Sequence, residues 1–280
     1  METDPLPTAE NKQPKLRWYQ WRLRSLFLLT LLAAIGMSWL TVTIQDGRKQ
    51  KAVAEAIEKA GGSVKSEPTW LGKLLRDDSL VRVTYVDLSG WSVTDAELVH
   101  LKGLRQLQQL DLFNTQVSDA GLVHLHELTQ LQMLRFSYGK VTDAGIWHLQ
   151  GLSQLQFLRL DHTQATDAGL VCLQGLSQLQ TLDLGDTKVT NSGLVRLQGL
   201  SQLQELSLSG TNVTDAGLVH LQGLSQLQTL WLCHTQVTDA GLAHLGRLVQ
   251  LQFLDISGTK VTDQGVKKLQ QSLPNCKIEH

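Results

Sequence analysis

The chain has 280 residues, 42% of them hydrophobic, with 25 Lys+Arg against 26 Asp+Glu. Balanced charge and the lack of any basic run in its repetitive region exclude a phosphate-tracking stripe, so nucleic acid is not an expected partner. The three cysteines, Cys172, Cys233 and Cys276, share no close redox or zinc spacing and are expected as free thiols, which leaves the redox compartment open.

In chain order, residues 1–24 open with METDPLPTAENK, polar and proline-containing, and read as a disordered cytoplasmic tail. Residues 25–44, SLFLLTLLAAIGMSWLTVTI, carry no charge and reach the ~20 residues a helix needs to cross a bilayer. Trp18, Tyr19 and Trp21 before the stretch and Trp39 near its other end suit the two headgroup interfaces. The competing reading is a cleaved signal peptide. Its apolar region is usually only about 7–15 residues long, and no small-x-small cleavage site follows here, so a retained span is expected. Lys12, Lys15, Arg17, Arg22 and Arg24 precede the span, while Arg48, Lys49 and Lys51 follow it. That bias predicts a single-pass signal anchor in a cell envelope, with the N-terminus cytoplasmic and the rest outside, periplasmic or extracellular.

Residues 45–82 read as a linker and a helical N-terminal cap. In RKQKAVAEAIEKAGG, Ala52, Val53, Ala56, Ile57 and Ala60 form an apolar stripe that Gly61-Gly62 ends. A second short helix is expected through Trp70, Leu71, Leu74 and Leu75, after Pro68-Thr69. A segment this short cannot bury an independent core, whereas a solenoid needs its first apolar face covered.

From Val83 to Pro274 the chain repeats itself every 24 residues, in eight units beginning at Val83, Leu107, Leu131, Leu155, Leu179, Leu203, Leu227 and Leu251. In the unit Leu179–Gln202, Leu179, Leu182 and Leu184 mark a short strand, Val189 turns inward, and Leu194, Leu197 and Leu200 recur every three residues as in a helix or 3₁₀ segment. The step Thr-Asp, as at Thr142-Asp143 and Thr238-Asp239, reads as helix capping, and Thr94 with Glu97 makes a capping box. The glycines that take the place of Glu97 in later units, Gly121 to Gly265, suggest tight packing between units. Around NCKIEH, residues 275–280, one last cap strand is expected near Ile278.

The pattern LxxLxLxxT followed by VTDAGL resembles a leucine-rich repeat, nearest the cysteine-containing subclass of F-box-type proteins, with the anchor-plus-repeats layout of bacterial envelope proteins. It departs from that subclass in its shorter unit and in Thr115, Thr163, Thr187, Thr211, Thr235 and Thr259, which stand where the subclass has Cys and the wider family Asn. The resemblance implies an α/β solenoid, a right-handed horseshoe with a parallel sheet on its concave face and helices on the convex one, and protein binding as the commonest role.

Chemistry is not expected. His100, His124, His148, His220 and His244 share one repeat position, but Cys172, Arg196 and Lys268 interrupt the column and no carboxylate recurs beside it, so repeat copying explains it better than a metal site does. There is no phosphate loop, GxSxG elbow or HExxH. No cofactor and no enzyme activity are expected. Positions 3, 5, 7 and 8 of each unit alternate with the buried leucines and should face solvent. There Phe113, Met133, Arg135, Tyr138, Phe157, Arg159, Asp161 and His162 gather on units two to four, with Trp231 and His234 further along. Exposed aromatics and arginines favour a partner, protein first and glycan second. Asp111–Arg135 and Arg159–Asp183 as mere cross-strand pairs, an architectural envelope protein without a ligand, and a ubiquitin-ligase adaptor are the alternatives. The oligomeric state is open.

Overall fold

The computed structural model of the chain describes residues 16–59, 61–90 and 93–280, with side chains from residue 27 onward. The expected tail, with Lys12 and Lys15, and Ala60 of the expected stripe lie outside the described residues. The chain divides into two compact units that meet between Gly47 and Arg48.

The first unit is helical: α1, Leu16–Lys59, begins in it. Its apolar stretch is long enough to cross a membrane by length and composition, with a mean hydropathy of 2.0 over its best window. The Thr30, Thr41 and Thr43 hydroxyls each donate to a carbonyl of the preceding turn, at Phe27, Ser38 and Trp39. These three hydroxyls are thereby satisfied inside the helix.

The second unit opens with the last turns of α1, and here the expected stripe is corrected. Gln50, Ala54 and Ile57 are buried with Val53 partly so, whereas Ala52 is exposed. The inward face therefore follows the i, i+3, i+4, i+7 pattern from Gln50. Gln50 accounts for the shift, since its Oε1 accepts a hydrogen bond from the Val83 amide at 2.8 Å. Gly61, at φ +92°, ends the helix, and Gly62 donates back to the Ile57 carbonyl at 3.0 Å.

A strand not legible in the sequence follows: β1, Ser63–Pro68, pairs antiparallel with β2, Val81–Asp87. Between them α2, Trp70–Leu75, is capped by Thr69 and closed by Arg76 in the left-handed region. The helix lies where expected, but of its apolar residues only Leu71 is buried, and Trp70, Leu74 and Leu75 are exposed.

From β2 onward the sheet is parallel and in chain order: β3 Gln109–Phe113, β4 Met133–Ser137, β5 Phe157–Arg159, β6 Thr181–Asp183, β7 Glu205–Ser207, β8 Thr229–Trp231, β9 Phe253–Asp255 and β10 Lys277–Glu279. Equivalent residues stand side by side, Leu110 on Leu134 and Leu158 on Leu182. Behind the strands run single turns of α-helix that tighten into 3₁₀, as at Asn191–Leu194 and Val195–Gly199. The leucines between form one continuous core with essentially no exposure. Each contributes about 1.5–3 kcal/mol, which a single unit left in water would forfeit.

Two polar ladders run along the stack, one closing the turn within each unit and one joining successive units. Thr115, Thr163, Thr187, Thr211 and Thr235 are buried, and each hydroxyl donates to the carbonyl three residues earlier, Thr187 to Leu184 at 2.6 Å. The second ladder corrects the reading of Thr-Asp as capping alone. Thr142 does cap its own helix, accepting from the Ala144 amide. The aspartate reaches forward instead: Asp143 Oδ1 accepts from the Thr166 amide at 2.8 Å and Oδ2 from its hydroxyl at 2.6 Å. The same pair of bonds joins Asp95 to Ser118, Asp167 to Thr190 and Asp239 to Thr262. These bonds also explain the repeated glycines, because a Cβ on Gly169 would meet the Asp143 carboxylate and Ile146.

Candidate functional site

Alternation along each strand turns positions 3 and 5 away from the core. Position 4 between them is a leucine with no exposure from Leu110 to Leu254. The outward face falls into two regions of different chemistry.

Over β3 to β6 the side chains are tied to one another. Arg135 lies 3.2 Å from Asp111 and 4.5 Å from the centre of the Phe113 ring. Phe113 meets Tyr138 edge-on at 5.7 Å, Tyr138 stacks on His162 at 4.0 Å, and His162 lies 3.4 Å from Asp186. Arg159 bridges Asp161 at 3.4 Å and Asp183 at 2.8 Å, while Ser137 donates to Asp161 at 2.6 Å. Burial pushes the neighbouring Tyr85 hydroxyl above its ordinary pKa, helped by Asp87 and Asp111.

The chain at position 8 curls through the left-handed region, with Tyr138 at φ +59° and His162 at +55°. Its amides still pair, Tyr138 to the Asp161 carbonyl and His162 to that of Gly185. Glycine fills the same place at Gly210 and Gly258 without strain. A tyrosine there carries a conformational cost of about 1 kcal/mol or more. The cost buys an exposed ring that joins Phe113 to His162.

Over β5 to β8 the face opens into a trough of about 400 Å³ lined by Phe157, Arg159, Thr181, Leu182, Asp183, Glu205, Ser207, Ser209 and Trp231. Phe157 and Trp231 stand three strands apart, or roughly 14 Å at the usual strand spacing. Short hydroxyl side chains form the floor between them. Trp231 is backed by Phe253, with ring centres 6.2 Å apart.

Of the ten residues picked out from sequence, Phe113, Arg135, Tyr138 and His162 thus form one connected cluster, while Phe157, Arg159 and Trp231 share the trough. Met133 lies beside Phe157 on the adjoining strand. At position 7 the expectation fails for Asp161 and Ser137, which are buried as the chain begins its turn, whereas Phe113 and Ser209 at the same position are half-exposed. His234 is exposed and lies beside Gly258, not in the trough lining. The sequence pattern does not single out Thr181, Glu205, Ser207 and Ser209, and it marks Asp183 only as a cross-strand partner of Arg159. The signal was a drop in size along position 5, from Arg159 through Asp183 and Ser207 before Trp231.

On the helix side, Gln198 meets His220 at 3.2 Å and Gln222 meets His244 at 3.1 Å. Among the described residues no group of three or more His, Cys, Asp or Glu is placed to hold a metal ion. Beside that column runs an exposed apolar row that sequence reading passed over: Val99, Val123, Trp147, Val171, Val195 and Val219. All three cysteines are free thiols, with Cys172 and Cys276 buried and Cys233 half-buried, donating to the Ser209 hydroxyl at 2.9 Å.

Comparison with known proteins supports the leucine-rich repeat family. The family model described as Leucine Rich repeat matches residues 176–197, 200–221 and 251–269. Among solved structures, internalin C2 from Listeria monocytogenes is 27% identical with a TM-score of 0.56, over 72% of this chain and 81% of its own. A leucine-rich repeat protein of Leptospira interrogans has a TM-score of 0.50 at 22% identity, over 65% of this chain and 50% of its own, and bears on the fold alone. No curated protein matches the chain in sequence. The chain carries a leucine-rich-repeat-like solenoid with a parallel sheet, a fold that serves as a protein–protein interaction module.

Proposed function

We propose that this protein is a non-enzymatic binding module held at a membrane, which presents the outward face of its parallel sheet to a protein partner. The observation that carries this reading is the content of that face. Aromatic rings and arginines, the side chains that interface hot spots favour, are concentrated on β3 to β5 and return at Trp231, with a trough between. Residues 25–44 serve as the anchor, with the N-terminus on the cytoplasmic side and the repeats outside.

The deciding experiment is affinity capture with the full chain from envelope and extracellular fractions, followed by variants. Phe157→Ala and Trp231→Ala should weaken capture at least tenfold without lowering the melting temperature, while His124→Ala and His220→Ala on the helix side should leave it unchanged. Arg159 is a poor probe, since it offsets two carboxylates and its loss would disturb the sheet itself. Release of the partner by the histidine variants would move the site to the other surface. Membrane sidedness is read from Cys233, the half-buried thiol, which should label with an impermeant maleimide in intact cells. Labelling only after lysis would reverse the orientation.

A second reading has one observation in its favour: the charged side chains over β3 to β6 are spent on each other, as in a purely architectural solenoid. Failure to capture any partner from either fraction would favour it.

A further inference from the structure

We propose that the trough between Phe157 and Trp231 takes a cationic side chain, a lysine ammonium or an arginine guanidinium, presented by an extended segment of the protein partner. The inference rests on the reading of this face as the partner surface and names the chemistry it selects.

The lining is acidic once its internal pairs are assigned. Arg159 is the cation of the lining, and it is shared between Asp183 and Asp161. Asp183 is itself fully engaged, with Oδ2 receiving the guanidinium at 2.8 and 3.1 Å and Oδ1 the Gly185 amide at 3.0 Å. Glu205 is different. It is exposed, and among the described residues its carboxylate has one hydrogen bond, a long contact of 3.5 Å from the Thr181 hydroxyl, with no Lys, Arg or His within ion-pair distance. The trough therefore holds a carboxylate whose charge no side chain among the described residues offsets.

The indole supplies the second half of the site. In the register of β7 and β8, Glu205 stands beside Thr229 and Ser207 beside Trp231, so Glu205 and Trp231 are diagonal neighbours, about 7–8 Å apart along the backbone. Ser207 between them is too short to fill the gap. A cation there meets a carboxylate on one side and an aromatic ring on the other, and both attract it. The protein makes this triad with its own side chains elsewhere on the sheet. Arg135 sits between Asp111 and the Phe113 ring, and Lys277 between Glu279 and the Phe253 ring. Glu205 and Trp231 repeat the carboxylate–aromatic pair at a place where no cation among the described residues stands between them. The opening of about 400 Å³ and the hydroxyl floor give a long side chain room to enter and acceptors for its remaining N–H groups.

The test uses the full chain in detergent micelles, with the Trp231 indole N–H signal followed by NMR. Three probes are titrated: the peptide Ac-GGRGG-NH2, the same peptide with citrulline, which keeps the shape and removes the charge, and chitotriose. The expected result is saturable movement of the Trp231 signal by the arginine peptide, with at least tenfold weaker binding of the citrulline peptide. Glu205→Gln, an exposed isosteric change, should abolish that preference while leaving the melting temperature unchanged. Equal binding of the two peptides, an undiminished preference in Glu205→Gln, or no movement with the arginine peptide would overturn the inference. A Trp231 response to chitotriose alone would overturn it in favour of a glycan. A captured partner released by Trp231→Ala but held by Glu205→Gln would overturn the cation site while leaving the binding face standing.

Discussion

Removing one rung of the aspartate ladder tests whether stacking depends on bonds between units as well as on leucines. In Asp167→Ala the Thr190 amide and hydroxyl lose acceptors at 2.7 and 2.6 Å. Each hydrogen bond to a charged acceptor contributes about 1.5–3 kcal/mol when buried. Both residues are half-exposed, so water can replace part of this, and the pair together should cost about 2–3 kcal/mol. The chain contains its own control. Asn191 holds the equivalent place, accepting from the Thr214 amide at 2.9 Å and donating to its hydroxyl at 2.8 Å. Asp167→Asn should therefore cost less than about 1 kcal/mol. The partner glycine is coupled to the rung: a Cβ at Gly193 would meet Asp167 Oδ1, and Leu170 at 2.9 Å. Gly193→Ala should be strongly destabilising alone, and less so by about 1 kcal/mol or more when Asp167 is already Ala. Urea unfolding of the full chain in detergent, followed by circular dichroism, measures all four. Asp167→Ala within about 0.5 kcal/mol of the parent, or Asp167→Asn as costly as Asp167→Ala, would refute the inter-unit role.

Leu182→Ala, beneath the trough and without exposure, should cost about 2–5 kcal/mol in the same assay. Two hydrogen bonds from Thr262 hold the Asp239 carboxyl below its ordinary value of 3.8. A lowered folded pKa means that this rung stabilises at pH above 3.8 and is lost as pH falls through the lower value. Amide-exchange protection factors in the helix Asp263–Ser272, corrected for the slower intrinsic exchange in acid, should therefore fall as pH drops, and Asp239→Asn should flatten that dependence. Among the thiols, Cys233 should be alkylated by iodoacetamide at neutral pH well before Cys172, whose burial, helped by Asp143, raises its pKa; mass spectrometry of timed samples reads the order.

Much of this molecule is legible before any coordinates. A repeat copied in unbroken register carries its own test for periodicity, so the strand leucines, the turn to 3₁₀ spacing and the Thr94–Glu97 box all stand where the pattern places them. These are local properties, decided by residues within one turn or one strand. The corrections concern groups that become neighbours only when units stack. Asp143 and Thr166 are 23 residues apart, and nothing in the spacing says that the carboxylate reaches forward. The inward face of α1 differs from the apolar stripe because Gln50, polar by type, is drawn to the Val83 amide of β2. β1 went unseen because an exposed edge strand such as SVKSEP has no buried side to print a period of two. The trough is the clearest case. A groove is an absence of bulk, and Ser207 and Ser209 mean nothing singly until parallel pairing sets them between Arg159 and Trp231.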